Sequence, residues 1–260
     1  MNHPKCRETD FSSLRYLISA AAPFAVEKIA RAHEIFGPVV CQSYGQTESG
    51  FPLTFLSPAA VTEALKNEKL APRLKSVGLP TATISCIEIM NDDGELLGPD
   101  EVGEIVLKGP TVMFRYINDP EATAAIHKDG WQHTGDLGYR DADGYIYISD
   151  RKRDLIISGG FNVFPLEVEQ VLAQHSAVQD CAVIGVPDEK WGEAVKAVIE
   201  RAPGTSVTAE ELIALCKEKL GSVMAPKSVD FIDQLPRSAV GKVLKRDLRA
   251  KYWENRETRI

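Results

Sequence analysis

The pattern of apolar and polar residues changes character twice along this chain. Between residues 15 and 60, two apolar runs flank a segment whose apolar residues recur at helical spacing. The runs are Leu17-Ile18 and Val39 to Cys41, and the helical positions are Val26, Ile29 and Ala30. This order predicts strand, helix, strand, and such βαβ alternation is typical of a parallel sheet.

From about residue 76 to 150 the apolar segments become short and are separated by turn signals. The predicted strands are Thr83 to Ile89, Gly103 to Leu107 and Tyr145 to Ile148. Asp-Gly pairs at 93–94 and 143–144 are favoured in tight hairpin turns. We expect a small antiparallel barrel or sandwich here.

A third pattern follows the charged stretch at residues 150–154. Pro165 suits the first turn of a helix with apolar positions Val168, Val171 and Leu172. Strands are predicted at Val178 to Val186 and Ala194 to Ile199, and Thr208 with Glu211 forms a capping-box pattern for a helix through Lys219.

These patterns predict a mixed α/β and α+β chain in three parts. Residues 1–70 would be the remnant of a parallel α/β subdomain, and residues 71–150 a small antiparallel β-barrel. Residues 151–260 would form a mobile C-terminal α+β domain of ordinary size. A hinge is expected at residues 150–153.

Charge and cysteine content narrow the class of protein. There are 30 Lys and Arg against 37 Asp and Glu, a net charge of -7, which argues against a nucleic-acid or membrane-surface protein. The five cysteines are odd in number and include no C-x-x-C pair, which favours a reducing cytoplasm. We expect neither a membrane span nor a signal peptide, since no apolar run is long enough and the start lacks an apolar core.

The segment from Gln42 to Ser49 is the first candidate for chemistry. It follows a predicted strand, so we expect a Gly-containing loop at the carboxyl end of a parallel sheet, where open α/β sheets bind ligands. Tyr44 could stack a base, Thr47 could bind a phosphate and Glu48 could hold Mg²⁺. The alternative is a polar surface turn.

Three further segments offer weaker signals. Asp136, in Thr-Gly-Asp, and Arg151 lie on either side of a predicted hairpin and suit a ribose diol, or they form a surface ion pair. The paired glycines of residues 158–162 could cradle a phosphate or form a plain turn. Lys242 follows a Pro- and Gly-bounded turn and suits a developing oxyanion, or it begins a solvated basic helix.

Several other kinds of site find no support in the sequence. The five histidines show no H-E-x-x-H spacing, so a zinc site is not expected. There is no G-x-S-x-G elbow, no triphosphate-loop motif and no G-x-G-x-x-G.

Taken together in this order and spacing, the four segments resemble the adenylate-forming (AMP-binding) superfamily of acyl-CoA synthetases, luciferases and peptide-synthetase adenylation domains. Residues 19–23, Ser-Ala-Ala-Ala-Pro, are similar to the family's Gly-Gly-Ala-Pro turn, and residues 103–109 match its barrel signature. The resemblance runs from Asp10 to Arg249.

The resemblance implies a role for each matched residue. Tyr44 would stack on adenine, and Asp136 and Arg151 would hold the ribose; Lys242 would be the catalytic lysine of adenylation. Glu48 would bind Mg²⁺, and Thr47 the α-phosphate. The remaining implied contacts to the nucleotide or coenzyme A are Ala21, Ala22, Gln42, Ser43, Gly45, Ile148 and Gly160. Arg153 matches the hinge position, where the family more often has Lys or Asp, and Phe51 and Ser43 are candidates for the acyl pocket.

The implied activity is ATP-dependent ligation of a carboxylic acid to coenzyme A through an acyl-adenylate, with ATP, Mg²⁺ and coenzyme A as cofactors. Family members are about twice this length and carry a triphosphate loop upstream, so we expect a C-terminal half that is inactive alone and that self-associates or pairs with a missing half. A nucleotide-binding module without catalysis is the alternative, and a peptide-synthetase adenylation domain is a weaker one. Which acid is used is not predicted.

Overall fold

The computed structural model describes residues 1, 3–22, 24–82, 86–239 and 241–254. The chain divides into two compact units, Met1–Ile148 and Ser149–Ile260. Among the described residues, no helix combines the length and apolar character needed to cross a bilayer.

The first unit begins with a four-stranded sheet. Its strands lie in the order β1 (Leu17–Ser19), β2 (Val40–Gln46), β3 (Gly50–Leu56) and β4 (Leu79–Pro80). Helix α1 (Val26–Phe36) connects β1 to β2, which pair in parallel, whereas β2–β3 and β3–β4 pair antiparallel. The predicted strand–helix–strand order is therefore confirmed, within a sheet of mixed direction.

Helix α2 (Pro58–Lys66) follows β3 and starts with two strong signals. The hydroxyl of Ser57 accepts a hydrogen bond from the amide of Ala60, and Pro58 occupies the first turn. Its buried residues Val61 and Ala64 pack in one cluster with Ile29 and Ala32 of α1. Each fully buried aliphatic side chain contributes roughly 1.5–3 kcal/mol.

The second sheet of this unit contains counterparts of the three predicted strands and two further strands that the sequence did not predict. It contains β5 (Cys86–Met90), β6 (Gly103–Lys108), β7 (His127–Lys128), β8 (Trp131–Arg140) and β9 (Ile146–Arg151), with helix α3 (Pro120–Ile126) before β7. The order is β5-β6-β8-β7, with β9 also paired to β8. The turn between β8 and β9 closes at Asp143-Gly144, where the amide of Gly144 donates to the carbonyl of Asp141. Residues 83–85 of the predicted first strand lie outside the described residues.

The second unit is an α+β domain. Its strands are β10 (Ile156–Ser158), β11 (Phe161–Val163), β12 (Val178–Asp188), β13 (Gly192–Arg201) and β14 (Ser228–Ile232), and its helices are α4 (Pro165–Leu172), α5 (Ala209–Met224) and α6 (Lys245–Trp253). The sheet order is β11-β10-β13-β12, with β14 parallel to β13. One core cluster unites α4, α5 and this sheet.

Two predicted helices of this unit are confirmed. Val168, Val171 and Leu172 of α4 are buried. The capping box is present, because the Thr208 side chain accepts from the amide of Glu211 and the Glu211 side chain accepts from the amide of Thr208. Helix α5 continues past the predicted end at Lys219 and contains a break at Gly221, whose φ is 79°.

Candidate active site

The first unit brings two distant segments of the sequence into direct contact. Tyr44 on β2 donates a hydrogen bond of 2.6 Å to Oδ2 of Asp136 on β8, and both side chains are buried. Ile148 on β9 packs at the edge of the same apolar cluster as Tyr44. An aromatic face, an aliphatic side chain and a carboxylate therefore belong to one region of this unit.

One local expectation about this region was wrong. Residues 42–46 are not a loop after the strand but the last part of β2, and only residues 47–49 form the turn that leads into β3. The hairpin explains the difference, since Gln46 pairs with Gly50. At Gly45 an added Cβ would lie 2.8 Å from the carbonyl oxygen of Gly50, so glycine is required there.

Thr47 and Glu48 stand at the tip of this hairpin. Thr47 is exposed and Glu48 is half-buried. The hydroxyl of Tyr116 donates to Oε1 of Glu48 at 2.7 Å, and the carbonyl of Glu48 accepts from the amide of Met113 at 2.7 Å. The hydrogen bond to Glu48, with burial, raises the pKa of Tyr116 to about 12. Tyr116 was missed by sequence reasoning, because no local motif marks it.

Gln42 and Ser43 direct their side chains to the protein's own backbone. The amide nitrogen of Gln42 donates to the carbonyl of Leu74 at 3.2 Å. The hydroxyl of Ser43 donates to the carbonyl of Thr54 at 2.8 Å. By contrast Phe51, the other candidate for the acyl pocket, is 57% exposed.

Ala21 and Ala22 are exposed in the turn after β1. Ala21 has a φ of 68°, the left-handed region that favours glycine. This agrees with the glycine that the resembling turn carries in the family. Pro23 lies outside the described residues.

A metal ion would find few ligands from the protein alone. Over the part of the chain that the structure describes, there is no group of three or more His, Cys, Asp or Glu that could hold one. Mg²⁺ is commonly bound through one or two carboxylates together with substrate phosphates. Glu48, with one oxygen engaged by Tyr116, fits a role of that kind.

In the second unit, Arg151 ends β9 and precedes a short 3₁₀ turn, Lys152–Asp154. Arg151 and Arg153 are exposed. Arg249 of α6 holds this turn, because its guanidinium lies 2.7 Å from Oδ1 of Asp154 and donates to the carbonyl of Arg153 at 3.2 Å. That Arg151 joins Asp136 at a ribose stays a prediction.

Gly159 and Gly160 form the turn between β10 and β11, both with positive φ. The amide of Gly159 donates to the carbonyl of Trp191 at 2.8 Å, and a Cβ on Gly159 would lie 2.4 Å from the Trp191 ring. Nothing would meet a Cβ on Gly160 within 4 Å. Gly159 is therefore needed for close packing, and Gly160 faces open space.

Lys242 is exposed at the end of a tight turn. The amide of Ser238 donates to the carbonyl of Lys242 at 2.8 Å, and the amide of Lys242 donates to the Ser238 hydroxyl at 3.2 Å. None of the residues with described positions pairs with its ammonium group. Val240 of this turn lies outside the described residues.

The basic stretch after Lys242 forms helix α6, which is only partly solvated, because Arg246 is exposed whereas Lys245 and Arg249 are held in ion pairs. Lys245 of α6 lies 2.7 Å from Oε1 of Glu169, with side chains 17% and 16% exposed. Arg237, before the turn, pairs with Asp180 and donates to the carbonyl of Gly241 at 3.2 Å. Ion pairs therefore anchor the turn that carries Lys242 on both sides.

Comparison with known proteins identifies two matching family models. The model of the AMP-binding enzyme matches residues 1–117, and that of the AMP-binding enzyme C-terminal domain matches residues 167–242.

Curated relatives cover nearly all of this chain. A medium/long-chain-fatty-acid–CoA ligase of Mycobacterium tuberculosis is 40% identical over 98% of this chain and 44% of its own length. A feruloyl-CoA synthase of an Amycolatopsis species is 40% identical over 96% of this chain and 49% of its own length. The chain thus spans about half the length of the relatives that it matches.

Solved structures agree with this likeness. The amide bond synthetase McbA from Marinactinospora thermotolerans superposes with a TM-score of 0.86 at 36% identity, over 96% of this chain and 50% of that one. The o-succinylbenzoate CoA synthetase of Bacillus subtilis, in complex with its acyl-adenylate intermediate, gives a TM-score of 0.80 at 38% identity, over 95% of this chain and 47% of that one. With both family models matched in order and with curated relatives about 40% identical over nearly all of the chain, the chain belongs to the adenylate-forming AMP-binding enzyme family.

Proposed function

We propose that this chain provides the adenosine-binding and thioester-forming parts of an ATP-dependent carboxylate–CoA ligase. The reaction has two steps. A carboxylate oxygen attacks the α-phosphorus of ATP, which gives an acyl-adenylate and pyrophosphate. The sulfur of coenzyme A then attacks the acyl carbon, which gives a thioester and AMP.

The observation that carries this proposal is the hydrogen bond between Tyr44 and Asp136. It joins an aromatic ring and a carboxylate that are 92 positions apart in sequence. An aromatic ring stacks on a base, and a carboxylate accepts hydrogen bonds from two ribose hydroxyls. Both groups therefore lie close enough together to contact one adenosine. Ile148, Ala21 and Ala22 are proposed to contact the same nucleotide, together with Gln42, Ser43 and Gly45 of β2.

The first half-reaction would be assisted mainly by charge. Thr47 is proposed to donate to the α-phosphate, and Glu48 to bind Mg²⁺, which neutralises phosphate charge. Lys242 is proposed to neutralise charge that develops on the acyl and phosphate oxygens. Electrostatic stabilisation of this kind is often the largest single contribution to catalysis.

The second half-reaction would use the glycine turn between β10 and β11 of the C-terminal unit. Gly160 is proposed to line the path of the pantetheine arm. The space next to its Cα is open, as a path for a ligand requires, and a larger side chain would occupy that space. Lys242 and Gly160 would then serve different steps. A hinge at residues 150–153 is proposed to present each in turn.

The acyl acceptor needs its own test, because one structural neighbour is an amide bond synthetase and others are CoA ligases. The curated relatives at about 40% identity carry names of CoA ligases, which favours coenzyme A. The identity of the acid would be determined by testing a panel of short, fatty and aromatic carboxylates as substrates.

Two measurements on the 260-residue chain test the proposal. Calorimetry measures AMP binding, and mass spectrometry follows product formation from supplied acyl-adenylates with coenzyme A or with a simple amine. We expect saturable AMP binding and, although the complete ATP-dependent ligation is not expected of this chain alone, a CoA thioester from supplied acyl-adenylate. An amide product would show that the acyl acceptor is an amine rather than coenzyme A. AMP binding without any acyl transfer, and without acid-dependent ATP–pyrophosphate exchange, would favour a non-catalytic nucleotide-binding module instead.

A further inference from the structure

Asp136 lies in an irregular part of β8. Between β6 and β8, Glu104 pairs with Leu137 and Val106 pairs with His133. Ile105 alone therefore stands opposite the three residues between, which are Thr134, Gly135 and Asp136. Bulges of this kind redirect side chains next to active sites. Gly135 has a φ of 72°, which only glycine adopts readily.

Both oxygens of the Glu104 carboxylate hold this bulge. Oε1 accepts a hydrogen bond from the amide of Gly135 at 3.0 Å. Oε2 lies 3.1 Å from Nδ1 of His133, and the two side chains are only 10% and 17% exposed. Glu104 thus contacts His133 and Gly135, the residues on either side of Thr134, and so holds the backbone just before Asp136.

Thr134 completes the bulge from within. Its hydroxyl donates to the carbonyl of Ile105 at 2.7 Å and accepts from the amide of Asp136 at 3.1 Å. The backbone that carries the Asp136 side chain is therefore fixed by contacts to β6 rather than by regular strand pairing. The side chain itself meets Tyr44 at 2.6 Å.

A buried carboxylate is an unusual choice at this position of β6. The three residues that follow it, Ile105 to Leu107, are fully buried and apolar. Removing a charged group from water costs several kcal/mol unless it is well hydrogen-bonded, whereas a further apolar residue would extend the core at no such cost. The Glu104 carboxylate instead contacts the bulge residue Gly135 and the adjacent His133, so the shape of the bulge offers a reason for a charge at this position.

We infer that Glu104, with His133, is a positioning residue for the ribose-binding carboxylate. By holding the amide of Gly135, Glu104 sets the backbone from which Asp136 reaches the ribose hydroxyls. This inference rests on the proposed function, because it gives Asp136 its role at the nucleotide. A merely structural Glu104 would affect the stability of the sheet without affecting recognition of ribose.

Recognition of the hydroxyls can be isolated by comparing two ligands. AMP presents both ribose hydroxyls, and 2′,3′-dideoxy-AMP presents neither. Calorimetry gives the ratio of the two dissociation constants for the unchanged chain and for Glu104→Ala, Glu104→Gln and a control. The control is Glu88→Gln on the neighbouring strand β5, where Glu88 forms an ion pair with Arg140 at 3.0 Å rather than with a residue of the bulge.

We expect Glu104→Ala to weaken AMP binding by about tenfold or more, the scale of losing a hydrogen bond to a charged group, while dideoxy-AMP binding changes by less than about twofold. Glu104→Gln should recover most of the discrimination, because its carbonyl oxygen can still accept from Gly135. Glu88→Gln should behave as the unchanged chain does. A second measurement, without ligand, is amide hydrogen exchange at Gly135, which should be faster in Glu104→Ala than in the unchanged chain.

Three results would overturn the inference. If Glu104→Ala keeps the full preference for AMP, or loses affinity for both ligands equally, Glu104 has no part in ribose recognition. If the Gly135 amide exchanges at an unchanged rate in Glu104→Ala, Glu104 does not hold the backbone of the bulge. If the unchanged chain itself does not prefer AMP, the ribose role of Asp136 fails, and the proposed nucleotide site fails with this inference.

Discussion

The hydroxyl of Tyr44 and the carboxylate of Asp136 meet at 2.6 Å in the interior of the first unit. Tyr44 comes from a strand of the first sheet and Asp136 from the bulge of the second, so this hydrogen bond connects the two sheets. Because both groups are buried, the bond constrains the direction of the carboxylate.

Tyr44→Phe tests that constraint directly. The substitution keeps the ring for stacking and removes only the hydroxyl. Since hydrogen bonds to charged groups contribute about 1.5–3 kcal/mol, we expect the unfolding free energy to fall by roughly that amount and AMP affinity to drop about tenfold. Urea titration and calorimetry are the measurements. Tyr16→Phe, at a residue 60% exposed, is the matched control. Unchanged AMP affinity in Tyr44→Phe would show that the hydroxyl does not orient Asp136 for the ligand.

Lys242→Ala separates the two half-reactions. We expect adenylation to fall by roughly 10²–10³, the scale of losing one transition-state donor. Thioester formation from supplied acyl-adenylate should be preserved. Pyrophosphate exchange and thioester formation are measured separately, with Lys219→Ala on the exposed part of α5 as control. Equal losses in both half-reactions would remove the role assigned to Lys242.

The buried pair of Lys245 and Glu169 predicts an asymmetric response. Lys245→Met leaves the Glu169 carboxylate buried without its partner, and breaking a buried pair in this way costs about 3–5 kcal/mol. Burial already raises the pKa of Glu169, so its charge depends on Lys245. We expect a loss of that size in urea unfolding.

A matched pair and a double variant complete that experiment. Lys219 lies 3.9 Å from Glu218 with both side chains largely exposed, so Lys219→Met should cost about 1 kcal/mol or less. The double variant Lys245→Met with Glu169→Leu should be more stable than Lys245→Met alone. If it is not, the buried charge of Glu169 is not the source of the loss.

Cys216 predicts a loss of stability at alkaline pH. Burial raises the pKa of its thiol from 9.0 in the unfolded chain to about 11 in the folded state. The folded state therefore holds the proton more tightly. The stabilisation is fully present below pH 9 and is lost as the pH rises from about 9 to about 11. A shift of this size corresponds to roughly 3 kcal/mol.

Urea unfolding at several values of pH measures this slope. In Cys216→Ala the alkaline decline should be shallower, although the variant is less stable at neutral pH because it leaves a small cavity. Cys6→Ala, at a partly exposed residue whose thiol lies outside the core, should leave the slope unchanged. An identical slope in Cys216→Ala would show that other groups cause the decline.

The sequence predicted best where signals are local. The capping box of Thr208 and Glu211 and the Asp143-Gly144 turn are confirmed because each depends on residues within one turn. Helices α2 and α3 carried equally local signals, Ser57-Pro58 and Asp119-Pro120, and these were overlooked. Strand β3 was not predicted because Pro52 interrupts it, at the point where the register with β2 shifts.

The sequence predicted less where contacts cross from strand to strand. Nothing near Glu104 in sequence marks Gly135 as its partner, and nothing near Glu48 marks Tyr116. A single carboxylate at the start of the apolar run Ile105 to Leu107 was the available signal for Glu104. Side-chain chemistry had already made Tyr44 and Asp136 candidates and the resemblance gave each a role, but their hydrogen bond joins two different sheets and no local signal marks it.

Helix α6, which follows the turn of Lys242, is fixed to the rest of the second unit by ion pairs. Lys245 is held by Glu169 of α4, and Arg249 is held by Asp154 next to the start of the second unit. Through α6, ion pairs therefore connect segment 152–154, α4 and the Lys242 turn into one rigid unit. If the proposed hinge at residues 150–153 rotates, Lys242 would therefore move together with segment 152–154 and α4 rather than independently of them.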